Sequence, residues 1–472
     1  MPERTPGRGN RARRGRRPGP GGGSRRNRPA EMTPEPVDAP VTVGAPAHGG
    51  FTVARVGDVV TFVRHAAPGE SVRLAVTAKR SKVWFADAVE VLDPSADRVP
   101  HVWPEAGPGG IGGAELGHLR PAAQRDWKSD VLAESLRRIG GERIAADAEA
   151  AAGSLRVLPV GPGTEGGTRT RIDLTVTADG RPGMHRYRSD VVLPVTALPL
   201  ADPRLPVEEI LALDSLRPGA RLRAVVGSGP SPDGVARLLV DGRAVPGSPV
   251  TSGRVAERVE TMFGPLDHAL DDAGFWQVHT SAPAALVESV LALAAGIDPD
   301  PAALAGEGGD PDRAGRVTAS LAGSAVVELY SGAGLLTKAI GEAVGQGGAV
   351  LSLEGDVDAV RSAADAIDHA SVRTLAGAVT GRSVAALGEE DDWRPGGVVV
   401  LDPPRSGARD EVVSAVAALA PRRIVHVACD PAALARDLAS AAEAGYVVER
   451  IVALDLFPHT HHLEVVAALV PA

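Results

Sequence analysis

Cysteine is nearly absent: Cys429 is the only one in 472 residues. That excludes an intramolecular disulfide and any Cys-rich metal centre. A lone cysteine is most often a small buried apolar residue, so Cys429 needs context before chemistry is assigned to it. Aromatic residues make up only 3% of the chain, against 44% hydrophobic residues overall, so its cores must be aliphatic. No run of about 18 apolar residues exists, which excludes a helical membrane span. The Arg-rich start runs into Gly and Pro and lacks the apolar stretch of a secretory signal. These absences lead us to expect a soluble, cytoplasmic protein. Positive charge is also short over most of the chain. The first 30 residues hold ten Arg and one Glu, net +9, while the whole chain is −9, leaving −18 for the rest. Such a body does not attract nucleic acid by overall charge, so any site of that kind must be a local basic face or the tail.

What is present suggests about three domains. Residues 1–45 are rich in Arg, Gly and Pro without apolar periodicity and are expected to be a disordered tail. Arg at this density could hold RNA phosphates by counterion release, or the tail could be a passive extension. Residues 46–98 read as short strands, Phe51–Arg55, Val59–Val63, Ser71–Val76 and Val83–Asp87, with a turn at Pro68-Gly69. Strands this closely spaced suggest a small β-barrel. Its Arg55, Arg64, Arg73, Lys79, Arg80 and Lys82 could track RNA or could simply be solvated. Residues 99–270 form an α+β central module: a Gly-rich loop, a helical stretch over 122–153, then β-rich sequence with a hairpin signal at Asp179-Gly180. Residues 271–472 form the last domain. From about 322, apolar strands (325–330, 349–354, 372–376, 397–402, 424–428 and 447–456) alternate with helices, predicting a largely parallel α/β sheet. Ligands of such sheets bind beyond the carboxyl ends of the strands.

Four motifs sit at those ends. In Val326-Val-Glu-Leu-Tyr-Ser-Gly-Ala-Gly334 a strand meets a Gly-rich turn, where the backbone can approach a ligand closely. Glu354 closes the next strand twenty residues on, where an acid can accept hydrogen bonds from ribose hydroxyls. Together they favour an adenosine-bearing cofactor over a structural turn. In Leu401-Asp-Pro-Pro-Arg-Ser-Gly407 two prolines stiffen a loop that starts with an acid, Asp402. In Val427-Ala-Cys-Asp-Pro431 a strand delivers Cys429 to a helix start, where the helix dipole is expected to favour a thiolate. In Phe457-Pro-His-Thr-His-His-Leu-Glu464 three His and an acid lie close together. No metal is expected there, since His461 and His462 are adjacent and point differently; Glu464 fits a general base better.

In this order the motifs resemble the RNA uridine C5-methyltransferase family. Cys429-Asp-Pro with Leu434-Ala-Arg-Asp437 is similar to its nucleophile motif, and Phe457-Pro-x-Thr-x-His-x-Glu464 to its C-terminal signature. Phe275-Trp-Gln-Val278 resembles the segment before its catalytic domain, and residues 48–90, with Pro68-Gly-Glu70, resemble its TRAM barrel. The resemblance implies an α/β, Rossmann-like class I methyltransferase domain at the C-terminus, preceded by an OB-like β-barrel (TRAM) and a β-rich central domain. It implies that Gln277, Tyr330, Glu354 and Asp402 contact S-adenosylmethionine, that Cys429 is the nucleophile and that Glu464 accepts a proton. It implies RNA as partner, with 23S rRNA preferred and tRNA an alternative, and a monomer is expected.

The chain also departs from the family pattern. Many members hold an iron–sulfur cluster, but Ile111, Ala114 and Leu198 stand where its cysteines would be, so no cluster is expected. Asp430 follows Cys429 where Asn is usual. His279 replaces a frequent Asn, and the usual acid at the adenine-contacting strand end is missing at Gly377-Ala-Val379. Three other functions remain open on sequence. One is an amino-group methyltransferase using the Asp-Pro-Pro loop, which would not need Cys429. Another is an RNA-binding protein with a degenerate catalytic domain. The third, a dinucleotide-dependent oxidoreductase, is disfavoured by the incomplete glycine fingerprint.

Overall fold

The computed structural model describes residues 33–153, 155–162, 166–229, 236–245 and 253–472. Most of the expected tail, residues 1–32, lies outside them. The expectation of a tail running to residue 45 needs correction. Glu35–Thr42 is a strand, β1, paired antiparallel with Ser71–Arg80. Val41 and Val43 are buried at 9% and 1% exposure and anchor this stretch in an apolar core.

The first sheet contains β1, β2 (Pro46–Ala47), β3 (Phe51–Val56), β4 (Val59–Arg64), β5 (Ser71–Arg80) and β6 (Val83–Asp93), in the order β1-β5-β6-β4-β3-β2. Its two edges, β1 and β2, are joined by only three residues. Gly44 N–H donates to Val53 O at 2.7 Å and Val53 N–H to Ala45 O at 3.0 Å, so the chain itself closes the sheet into a barrel. Strand alternation fills the interior: Val72, Leu74 and Val76 point inward while Arg73 is exposed. The Pro68-Gly69 turn forms, with Gly69 at φ 86°.

The helical stretch predicted from residue 122 is a helix over Pro121–Ser135, a π-turn over Leu136–Gly140 and a second helix over Glu142–Ala152. A short strand, β7 (Val157–Pro159), follows. This segment precedes the central sheet in sequence but packs elsewhere. Leu132, Leu136, Ile144, Ala148 and Val157 share one buried cluster with the C-terminal α/β sheet. The central sheet contains β8 (Arg171–Val176), β9 (Pro182–His185), β10 (Val192–Pro194), β11 (Arg221–Val225), β12 (Arg237–Val240) and β13 (Arg243–Ala244), in the order β10-β9-β8-β11-β12-β13. A hairpin of β14 (Arg254–Thr261) and β15 (Gly264–Asp271) leads to the helix Ala282–Ala295.

The catalytic-type sheet adds β16 (Ala325–Leu329), β17 (Ala349–Glu354), β18 (Val372–Ala376), β19 (Val398–Leu401), β20 (Arg423–Ala428), β21 (Tyr446–Asp455) and β22 (Glu464–Pro471). The order is β18-β17-β16-β19-β20-β22-β21-β7, with β16 to β20 parallel and β22 antiparallel to both its neighbours. The chain winds outward from β16 to β18, then resumes on the other side of β16 with β19. The gap between β16 and β19 is therefore a topological switch point, where the loops at the carboxyl ends diverge and open a crevice. Among the described residues no helix is long and apolar enough to cross a membrane.

Candidate active site

Tyr330, Glu354 and Asp402 follow or end β16, β17 and β19, at the carboxyl ends beside the switch point. The Gly-rich turn after β16 has Tyr330, Gly332 and Gly334 all at positive φ (63°, 55° and 84°). At Gly334 a Cβ would lie 2.8 Å from the Ala363 Cβ, so glycine is needed for the following helix to pack. Glu354 joins the loops: it accepts Gly332 N–H at 2.9 Å and Asp356 N–H at 2.7 Å. Gly377, at the position that lacks an acid, donates its N–H to Glu354 O at 2.8 Å.

The acids here repel one another. Burial, partly offset by His426 but aided by Glu354, pushes Asp402 up to about 6. Glu328, on β16, is fully buried and pushed up to about 8 by desolvation, with Asp402 and Glu354 adding to it and a hydrogen bond to Thr337 opposing. A cation entering this crevice would favour the ionised form of these raised carboxyls, so the crevice suits a positively charged ligand such as a sulfonium. The residues present therefore fit S-adenosylmethionine. Gln277 is half-buried between β15 and the helix Ala282–Ala295. Among the described residues no side-chain hydrogen bond joins it to the others, so its assignment rests on the resemblance alone.

Cys429 and Glu464 are brought together by strand register. Ala428 pairs with Val465 across β20 and β22, so the next positions along the ladder, 429 and 464, face each other at the strand ends. Glu464 is buried and raised well above the carboxylate range by desolvation and then by Asp402, against the pull of Arg405. Cys429 does not rest as the thiolate expected from its place before a helix. Burial pushes the thiol up to about 12, with Glu464, Asp402 and Asp430 adding to the effect and Arg405 opposing it. The helix end cannot compensate, because Asp430 caps it: its carboxylate accepts Ala433 N–H at 2.8 Å and adds a negative charge next to the sulfur.

Several residues that support this site were not singled out from sequence. Asp437, seven residues into the helix that starts at Pro431, accepts Ala408 N–H at 2.7 Å, Arg409 N–H at 3.0 Å and a hydrogen bond from His426 at 3.0 Å. It ties the Asp402–Gly407 loop to the helix behind Cys429. Gly407, at φ 81°, allows this approach, since a Cβ there would meet the Asp437 carboxylate at 2.7 Å. The C-terminal signature loop is held by the helix Pro121–Ser135. Fully buried Lys128 reaches Asp455 at 2.6 Å and Phe457 O at 2.9 Å, and Gln124 accepts His459 N–H at 2.7 Å. A sequence signal existed: Gln124 and Lys128 are four apart on the apolar face that also carries Trp127 and Val131. Arg405 lies 3.4 Å from His462. The barrel reaches the site through His48, 3.4 Å from Asp430 and edge-on to His461.

The basic barrel face is weaker than the sequence suggests. Arg64 is buried and bidentate on Asp87 at 2.9 Å, Arg73 pairs with Glu90 at 3.0 Å, and Lys79 pairs with Glu35. An iron–sulfur cluster does not fit. Ile111, Ala114 and Leu198 are buried together with Trp103 in one apolar core and offer no ligand atom.

Comparison with known proteins points the same way. The profile of the tRNA (uracil-5-)-methyltransferase family matches residues 389–470. An uncharacterised RNA methyltransferase of Streptomyces coelicolor is 36% identical, covering 94% of this chain and 96% of its own. The 23S rRNA (uracil(1939)-C(5))-methyltransferase RlmD of Alkalilimnicola ehrlichii is 30% identical, covering 94% and 98%. The crystal structure of a tRNA (uracil-54, C5)-methyltransferase of Pyrococcus abyssi superposes with a TM-score of 0.56 at 19% identity, covering 91% of this chain and 99% of that one. With relatives this similar over nearly the full length, and with the motifs assembled on a methyltransferase sheet, the chain belongs to the S-adenosylmethionine-dependent RNA (uracil-C5-)-methyltransferase family.

Proposed function

We propose that this enzyme methylates C5 of a uridine in 23S rRNA, with Cys429 adding to C6 of the base and Glu464 removing the C5 proton. The observation that carries this reading is the Ala428–Val465 pair that ends the β20–β22 ladder, with Cys429 and Glu464 the next positions on the two strands and the Glu464 charge acting on the thiol. C5 of uracil is a weak nucleophile. Addition of the Cys429 sulfur to C6 makes C5 enolate-like and able to take a methyl group. S-adenosylmethionine, when bound, supplies that methyl as an electrophile on a cationic sulfur, and Tyr330, Glu354, Asp402 and Gln277 would hold it. Glu464 takes the C5 proton, the C6–sulfur bond breaks, and Cys429 is released. Because Cys429 rests as a thiol, its proton passes to solvent as the sulfur adds. Arg405 is the cation whose field favours that change. The uridine must be unpaired or flipped out of its stack to reach both residues.

In this reading the barrel of residues 35–93 is a TRAM-like RNA-binding module. Aromatics are scarce in the chain, yet partly exposed Phe62, Phe85 and Tyr187 gather around buried Phe51, with Arg188 over three of the four rings. Bases stack on such surfaces. Full-length similarity to RlmD favours 23S rRNA. The names of the matching family profile and of the Pyrococcus protein favour tRNA. Mass mapping of nucleosides from cells with and without the gene decides between them. Loss of one 5-methyluridine from 23S rRNA is expected, and loss from tRNA instead would reassign the substrate. Target RNA carrying 5-fluorouridine should trap a covalent complex with the wild-type enzyme and none with Cys429→Ala.

A further inference from the structure

Three histidines far apart in sequence meet between the barrel and the segment that leads to the catalytic sheet. His65 follows β4. His101 and His118 lie side by side because residues 98–102 run antiparallel to 117–119, with Val99 N–H donating to His118 O and Val102 N–H to Gly117 O, both at 3.0 Å. Gly117 makes room for this, since a Cβ there would lie 2.7 Å from the His101 ring. The three ring pairs have centroids 6.1–6.3 Å apart, and one ligand atom from each ring lies within 4.8 Å of the others. His65 and His118 are 4% and 2% exposed. Neither ring nitrogen of His65 or His118, nor Nε2 of His101, has a hydrogen-bond partner among the described residues.

Buried ring nitrogens without a partner in bonding geometry are costly and call for an explanation, although the Ala66 backbone lies near enough to the His118 ring to act on it. His65 also sits at φ 63°, a strained backbone for a side chain of this size, and Arg98 fixes it by donating to its carbonyl at 2.8 Å. We propose that His65, His101 and His118 bind a divalent transition-metal ion of the zinc class, which staples the barrel to the connecting segment. Three imidazoles without a thiolate suit Zn²⁺ or Co²⁺. Atoms so spaced need to move inward by under about 1 Å each to reach a metal–nitrogen distance of ~2.0–2.1 Å. Burial keeps all three rings neutral, the form that ligates. His101 Nδ1 accepts the Trp103 N–H at 3.0 Å, so ligation through Nε2 requires that bond to give way to a proton on Nδ1, which the Ala114 backbone beside the ring would accept. The fields of Arg64 and Arg98 oppose a cation here, but each arginine is ion-paired. Arg98 is paired with Glu70 at 2.6 Å and Arg64 with Asp87 at 2.8 Å, while the buried carboxylate of Glu115 acts on His65 and His101.

The site would brace the active site from behind. Leu116 donates its N–H to His459 O at 2.9 Å, and Glu115 lies 3.4 Å from His461, so the segment that carries His118 also holds the C-terminal signature loop. Among the described residues the signature histidines themselves do not form a metal-binding group.

The test uses the full chain, purified without a histidine tag from zinc-supplemented cells. Elemental analysis should find about one zinc ion per chain. After chelation, Co²⁺ should give visible d–d absorption that saturates at one equivalent, and Zn²⁺ should raise Tm by about 3–6 °C. His118→Gln and His65→Gln should each abolish the Co²⁺ spectrum while keeping the far-UV circular dichroism of the wild type. If one variant does not fold, the other and the wild-type stoichiometry still decide. Wild-type protein that holds no zinc and gives no Co²⁺ spectrum overturns the proposal, the nitrogens then being met by buried water. Equal binding by His118→Gln also overturns it, because the ion would sit elsewhere. Neither readout depends on methyl transfer, so the proposal and the assigned reaction fail separately.

Discussion

Two sets of buried carboxylates lie within the same catalytic domain, and they behave in opposite ways. Asp437 receives two backbone N–H groups and His426, and these partners hold it below the usual carboxylate range despite burial. Asp402 and Glu464 are raised, chiefly by burial: Glu354 adds to the first against His426, and Asp402 adds to the second against Arg405. The helix of the first set builds structure: Asp437 fixes the Pro-Pro loop against the helix behind Cys429. The second set has been left electrostatically unsatisfied, as expected of groups that must gain or lose a proton or face a cation. A satisfied buried acid should therefore matter for stability, and an unsatisfied one for rate.

The largest expected effects test the unsatisfied set together with Cys429. Cys429→Ala should lower methyl transfer by about 10⁴-fold or more while cofactor binding survives, as read by equilibrium binding beside turnover. Glu464→Gln should cost about 10²–10⁴-fold and accumulate the covalent RNA complex, because addition and methylation proceed while proton removal does not. Turnover by Glu464→Gln near the wild-type rate would assign the base elsewhere. In the wild type, kcat/KM should rise with pH across the neutral range, since Asp402 loses its proton near 6 and Glu464 above the carboxylate range.

The satisfied set predicts the opposite split. Lys128 and Asp455 form a fully buried pair. Removing one partner strands the other charge, so Lys128→Ala should destabilise the chain by roughly 3–5 kcal/mol in urea unfolding. In whatever fraction stays folded, Cys429 should still react with 5-fluorouridine RNA. A stable but inactive Lys128→Ala would move Lys128 into the chemistry.

How much of this was legible in the sequence follows from range. The strands from 325 to 456 and the Cys429, Glu464, Glu354 and Asp402 motifs were readable because periodicity and motif are local. The thiol's state was misread. The helix dipole is visible from Pro431, but the opposing burial and the charge of Glu464 depend on a strand pairing across 35 residues. The acid pairs of Arg64, Arg73 and Lys79 were hidden for the same reason. So was the packing of residues 121–159 against a sheet that begins at 325. His65, His101 and His118 have no spacing that would reveal them.

Glu328 extends the comparison to an acid that is neither satisfied nor at the candidate chemistry. It is fully buried, and one of its oxygens has no partner among the described residues. Its folded value, about 8, lies above the unfolded one. Its contribution to stability is therefore complete below the ordinary glutamate range and is lost as pH rises through about 8. Between pH 6 and 9 the wild type should lose roughly 2–3 kcal/mol that Glu328→Gln does not lose. Parallel pH dependences in urea melts would show that Glu328 ionises like an exposed acid.

The smallest effect belongs to Asp430, which is part of both behaviours. Its carboxylate satisfies the helix end at Ala433, yet its charge raises the thiol beside it. Asn caps a helix as well as Asp does, so Asp430→Asn should leave stability within about 0.5 kcal/mol. It should also lower the Cys429 thiol slightly, burial and Glu464 being the larger causes. Methyl transfer at pH 7–8 should rise by about 2–3-fold. His48, the other neighbour of Asp430, does not cancel this, because desolvation keeps its ring neutral. If Asp430→Asn is slower at every pH, the carboxylate acts on the substrate and its role is not confined to the field at the sulfur.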